Sequence, residues 1–310
     1  MHNTIDPEWL RTVQIVPITA FDPEGEIALE PMRELFTRLY DAGMRAFIPC
    51  AGSAEFHSLQ SKEIVSVVEM ARGALGPDAV LLAPVGLQIG HALSVGAKSL
   101  EAGADGVLIM PFSAPYLSDA GARDYYQALL DELGCPAIIY KKAEVPSDDL
   151  LLELADHPQV VGIKYAVNDL DAFQRIVIAA RGKEIEFQCG SAERFAPFFM
   201  LAGATGYTSG AGNLCPRLTL SMHSAAMAGD WEETLRLQEI IRPIEDYRAR
   251  SGSSYNISFQ KHALKSIGLD FGPPRPPQRQ LTAEEMREID RIVEPILKAE
   301  EELATVGSGR

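Results

Sequence analysis

One pattern limits what this chain can fold into: a short apolar run followed by a segment of helical spacing recurs along two thirds of its length. Apolar runs at 13–20, 45–50, 79–84, 106–110, 136–140, 160–164, 185–189 and 205–209 read as strands. Between them, 29–42, 61–74, 89–102, 119–133, 147–155, 169–180 and 192–202 carry helical apolar spacing. In the first of these, Met32, Leu35, Phe36 and Leu39 fall on one face, and Gly43 supplies a stop. Short apolar strands alternating with helices call for a parallel sheet. Eight of them in this length fit an α/β fold closed as a (β/α)8 (TIM) barrel better than an open doubly wound sheet. After Pro216 the alternation ceases, and helices are expected at 218–228, 231–249, 258–267 and 282–305, kinked at Pro243 and Pro295. The expected organisation is a barrel over 1–215, after a polar lead-in at 1–12, with a C-terminal helical region over 216–310 packed on it.

Composition removes several function classes. A formal charge of −15 and a pI near 4.9 argue against a nucleic-acid or anionic-membrane partner, since either needs a basic surface. No charged-then-apolar leader and no long apolar run is visible, so a cytoplasmic protein is expected. Cys50, Cys135, Cys189 and Cys215 are widely spaced and read as buried thiols. The six histidines form no HxxxH pattern, so neither a metal nor another cofactor is expected. Gly203-Ala204-Thr205-Gly206 and Gly210-Ala211-Gly212 lack the GxGxxG order that would open a dinucleotide fold.

The run Val160-Val161-Gly162-Ile163-Lys164-Tyr165 ends in a lysine that a buried strand cannot itself use. Burial or a neighbouring cation would lower its pKa toward the neutral amine that attacks a carbonyl, making Lys164 a Schiff-base candidate. Taken alone, the segment favours a lysine that snorkels to solvent; the other strand ends reverse that. In a barrel the loops following the strands share one face. Gly52, Ser53 and Ala54 follow the second strand, where small residues admit an anion to backbone N–H groups and Ser53 adds a hydroxyl. Tyr140 ends the fifth strand beside Lys164 on the sixth and suits a general acid or base. Gly190 and Ser191 after the seventh strand, and Ser209 and Asn213 at and after the eighth, are candidates for holding substrate hydroxyls. Ser191 and Glu193 equally describe the first turn of a capped helix. Glu55 and His57 read as structural or solvated groups, and Lys141 and Lys142 as solvated charges, with either able to depress the Lys164 pKa.

With these residues the chain resembles the dihydrodipicolinate synthase and N-acetylneuraminate lyase superfamily of class I, Schiff-base-forming lyases. The resemblance rests on Val16-Pro17-Ile18-Thr19-Ala20-Phe21, Gly52-Ser53-Ala54-Glu55, Tyr140, Gly162-Ile163-Lys164 and Gly272-Pro273-Pro274-Arg275-Pro276-Pro277. It implies a barrel with C-terminal helices, Lys164 as the imine lysine, Tyr140 as the catalytic tyrosine, Ser53 as a carboxylate-binding residue, and a homo-oligomer, tetramer or dimer. Departures bear on the substrate. The synthase loop Gly-Thr-Thr-Gly-Glu is here Ala51-Gly52-Ser53-Ala54-Glu55, no arginine stands in Tyr140-Lys141-Lys142-Ala143-Glu144-Val145-Pro146, and Phe112-Ser113 replaces a tyrosine pair after Pro111. Ala54-Glu55-Phe56-His57-Ser58-Leu59, Pro115-Tyr116-Leu117 and Tyr207-Thr208-Ser209 with Asn213 look more like the 5-dehydro-4-deoxyglucarate dehydratase branch. The resemblance therefore implies a dehydratase acting on a small-molecule 2-oxo-3-deoxy sugar acid. A pyruvate-releasing aldolase, a synthase-like enzyme and a non-catalytic 2-oxo acid binder stay open beside it.

Overall fold

The computed structural model describes residues 5–307 apart from Ser113, so the Phe112-Ser113 departure lies partly outside the described residues. Eight parallel strands close into a barrel in chain order. They are β1 (Val13–Ile15), β2 (Ala46–Phe47), β3 (Val80–Val85), β4 (Gly106–Ile109), β5 (Ala137–Lys141), β6 (Val160–Tyr165), β7 (Glu186–Cys189) and β8 (Gly206–Ser209), with β8 pairing back onto β1. Each is followed by a helix: α1 (Leu29–Asp41), α2 (Ser61–Ala74), α3 (Ile89–Glu101), α4 (Asp119–Leu133), α5 (Asp148–Leu154), α6 (Leu170–Ala179), α7 (Ala192–Leu201) and α8 (Pro216–Met227). Every strand residue is buried, because side chains fill the barrel inside and helices cover it outside. Polar side chains cap the starts of α4 and α6. The Ser118 hydroxyl accepts from Gly121 N, and the Asp169 carboxylate from Ala172 N, each worth about 1 kcal/mol.

Two expectations at the N-terminal side are corrected. The first strand stops at Ile15 rather than at residue 20, since Pro17 has no N–H for the ladder; residues 16–20 continue as buried irregular chain. The polar lead-in contains a 3-10 turn, Pro7–Leu10, whose Leu10 is wholly buried against β6 and β7. Gln188 Nε2 donates to the Leu10 carbonyl at 2.8 Å. The few apolar residues of this polar segment, Ile5, Trp9 and Leu10 among them, have no period, so pattern reading passes over them.

Beyond α8 the chain forms α9 (Trp231–Arg248), the single turn α10 (Arg250–Ser253), α11 (Asn256–Ala263) and α12 (Ala283–Gly307). α9 packs on α7 and α8, and α12 on α8, α9 and α11. α9 and α12 continue through Pro243 and Pro295. Within α10, Ser251 and Gly252 take left-handed φ of 48° and 66°, which bends the chain between α9 and α11. No helix among the described residues is long and apolar enough to cross a membrane, and no cluster of His, Cys, Asp or Glu converges as metal ligands. All four cysteines are buried and unpaired.

Candidate active site

The barrel mouth, at the C-terminal ends of the strands, holds a cavity of about 740 Å³. Lys164 stands in its wall because β5 and β6 pair with Tyr140 directly opposite Lys164. Lys164 Nζ lies 4.1 Å from the Tyr140 ring centroid. Room for the lysine stem comes from Gly190: a Cβ there would stand 3.2 Å from Lys164 Cγ and 2.7 Å from Ala166 Cβ. Burial draws the Lys164 amine down from 10.5 to about 7; the Lys142 ammonium adds to the fall and Cys189 opposes it. Burial pushes the Tyr140 phenol up to about 12, with Cys189 contributing, so it stays protonated at neutral pH. The arrangement is an amine half unprotonated at pH 7 beside a protonated phenol in the barrel mouth.

On β2's side, Gly52 and Ser53 line the cavity within a 3-10 turn, Gly52–Ala54. Ala54 does not: it is buried, its N–H donates to Ala51 O at 2.9 Å, and its carbonyl accepts from Thr19 Oγ1 at 2.7 Å. Asn213 is likewise turned away from the expected role. Its Nδ2 donates to the carbonyls of Val16 (2.9 Å) and Gly210 (3.0 Å) while its Oδ1 accepts from Ile18 N, so it stitches β8's loop to the chain after β1. Ser191 and Ser209 line the cavity. Ser191 stands at the N-cap of α7 but its side chain makes no cap bond; its hydroxyl donates to Asn168 Oδ1 at 2.6 Å. Ser209 Oγ accepts from Gly212 N at 2.8 Å and donates to Glu193.

Sequence reading missed two groups here, Arg248 and Glu245, and misjudged two, Glu193 and Lys141. Glu193, expected in an ordinary first turn, is fully buried, and burial with the nearby Glu245 charge raises its carboxyl to about 7. Its place was legible, since Glu193, Ala196, Pro197 and Met200 share the apolar face of α7. Arg248 and Glu245 enter the cavity wall from α9, a region that carried no site expectation. Lys141 is not solvated: Nζ donates to Pro146 O at 2.5 Å and lies 3.4 Å from Asp148 Oδ1, because alternation along β5 turns it to the opposite face from Tyr140. Glu55 is a tether. Lys261 Nζ lies 2.9 Å from its Oε1, and Arg275 N donates to Oε2 at 2.8 Å, while the Arg275 guanidinium engages Glu63 on α2. The proline-rich connector after α11 is thereby bolted to the turn that carries Ser53.

The Dihydrodipicolinate synthetase family matches residues 10–296. The chain belongs to that family. Within it, a "Probable 5-dehydro-4-deoxyglucarate dehydratase 1" from Streptomyces avermitilis is 31% identical over 288 residues, 90% of this chain and 91% of that one. A "Probable 5-dehydro-4-deoxyglucarate dehydratase" from Streptomyces griseus is 32% identical over 290 residues, 89% of each chain. Among solved structures, dihydrodipicolinate synthase from Bacillus clausii superposes with a TM-score of 0.90 at 31% identity, covering 93% of this chain and 98% of that one. That family match runs without a break through the barrel and on to residue 296, inside α12.

Proposed function

We propose that this chain is a lyase that joins Lys164 to a 2-oxo-3-deoxy sugar acid as an imine and eliminates water from it, in the manner of a 5-dehydro-4-deoxyglucarate dehydratase. One observation carries the reading: a buried strand-end amine held near 7 and 4.1 Å from a protonated tyrosine ring. The names of the Streptomyces relatives support dehydration.

The chemistry follows from those two groups. The neutral amine adds to the C2 carbonyl, and the carbinolamine oxygen leaves as water with a proton from Tyr140. The resulting protonated imine draws electrons from C3; the Tyr140 phenolate left by the first step takes the C3 proton to give an enamine and returns it to the 4-hydroxyl, which the enamine expels as water. The Ser53 hydroxyl, with the backbone of Gly52 and Ser53, holds the C1 carboxylate. Ser191 and Ser209, whose own protons go to Asn168 and Glu193, are left to accept from substrate hydroxyls on the β7–β8 side of the mouth.

Borohydride reduction followed by peptide mass spectrometry tests the assignment. The wild type should gain a reduced 2-oxo acid adduct on Lys164, and Lys164→Ala should lose adduct and turnover together. An adduct mapped to Lys141, to Lys142 or to no lysine, in a preparation that consumes substrate, would overturn it. Products retaining the substrate's C3–C4 bond support dehydration; pyruvate with an aldehyde would replace it by aldol cleavage.

A further inference from the structure

Besides Lys164, the cations in the cavity wall are Lys142, Arg194 and Arg248, and of these Arg248 alone is buried. Arg248, the last residue of α9, is buried to 5% exposure yet lines the cavity. It reaches the mouth because Gly210 has no side chain: a Cβ there would stand 2.2 Å from Arg248 Nη2 and 2.6 Å from Cζ. The guanidinium is anchored on the protein side. Nε and Nη2 donate to Asn256 Oδ1 at 3.1 and 2.7 Å, and Nη1 donates to the buried Glu245 carboxylate. Each terminal nitrogen has one N–H engaged, so Nη1 and Nη2 each keep a second donor with no protein acceptor among the described residues. A rigid planar fork with spare donors is suited to gripping a carboxylate.

The surrounding charge points the same way. The chain carries a net charge of −15, yet Lys142, Arg194 and Arg248 line the cavity beside Lys164, against one carboxylate, Glu245, that Arg248 already engages. Barrel order sets the direction of approach. Ser53 follows β2 and Lys164 stands on β6, on opposite sides of the barrel, whereas Gly210 follows β8, between them.

We propose that Arg248 reads a second carboxylate at the far end of the 2-oxo acid and so selects dicarboxylic over monocarboxylic substrates. The proposal rests on the reading of Lys164 and Ser53 given above, which assigns the near carboxylate to the β2 loop. Gly210 is in this account a clearance for the arginine.

The test compares 2-oxoadipate with 2-oxohexanoate, which differ in a terminal carboxylate against a methyl group. Two readouts are taken: the concentration for half-maximal borohydride labelling of Lys164, and the calorimetric Kd, which requires no imine. The wild type should favour 2-oxoadipate on the order of 10- to 100-fold, the worth of a hydrogen-bonded charge pair. R248Q should collapse that preference, and R248K should keep part of it. Because R248Q strands Glu245 in the interior, the double variant R248Q/E245Q removes both charges together and keeps the comparison on a folded protein. Equal affinities in the wild type, or a preference that survives in the folded double variant, would overturn the assignment. A calorimetric preference that depends on Arg248 without any adduct on Lys164 would instead sink the imine mechanism and leave the arginine's role standing.

Discussion

The depressed pKa of Lys164 makes a quantitative prediction about pH. At pH 7 an ordinary lysine offers a neutral amine in roughly one molecule in 3,000, whereas an amine brought to about 7 offers it in half of them. Burial thus supplies on the order of 10³-fold more nucleophile at neutral pH. The assay is the initial rate of pyruvate imine formation, quenched with borohydride and read by intact mass over roughly ±2 pH units about the expected pKa, from about pH 5 to about pH 9. The rate should climb about tenfold per pH unit on the acid side and level off close to 7. Lys142→Met should move the inflection upward, by less than burial moves it downward, because burial is the larger cause. A rate that goes on rising tenfold per unit to the end of the range, with the adduct on Lys164, would refute the argument that the site desolvates its amine. Linkage supplies an independent check. Between about 7 and 10.5 the folded chain binds fewer protons at Lys164 than the unfolded chain, so stability rises with pH across that window. Below it the buried ammonium costs the fold up to about 5 kcal/mol, and Lys164→Met should remove that pH dependence from the melting curve.

Three further outcomes follow from the geometry. Ser53→Ala should raise KM for the 2-oxo acid by the roughly 1.5–3 kcal/mol of one hydrogen bond to a charged group, and wild-type kinetics on every substrate tried would exclude Ser53 from the anion site. Tyr140→Phe should still form some Lys164 adduct while turnover falls about 10²- to 10⁴-fold, measured by comparing single-turnover trapping with steady-state rates. Lys261→Met leaves the Glu55 carboxylate buried without its cation and should cost about 3–5 kcal/mol in urea unfolding, with an unchanged midpoint counting against the tether.

How far the sequence could be read depended on the kind of signal each residue left. The barrel was legible because strands buried on both faces show as continuous apolar runs, and the Tyr140–Lys164 pairing followed from adjacent strands ending at a common rim. Asn213 was misplaced for a physical reason: a polar residue beside glycines looks like a ligand group, yet a tight buried loop also needs a side chain to satisfy its own backbone, and that need won. Ala54 lost its expected N–H in the same way, to a turn closing on itself. Arg248 and Glu245 did leave a trace. They continue the buried stripe of Leu237, Ile241 and Ile244 along α9, so two opposite charges sit where a helix should show only apolar side chains. Their destination in the barrel mouth required the bend in α10 and the missing side chain of Gly210, which no periodicity reports.

The bolt between Glu55 and the proline-rich connector sets an order on how the working molecule is made. Arg275 and Glu55 are 220 residues apart in sequence, whereas the last strand of the barrel is complete at Ser209. A chain emerging from the ribosome can therefore pair β8 with β1 before α11 and the connector have been synthesised. The anion turn and the arginine wall wait for what comes last. Until then the nascent barrel has its lysine without the surroundings that aim a substrate at it, so competence arrives as a late event in translation, separate from the appearance of the fold.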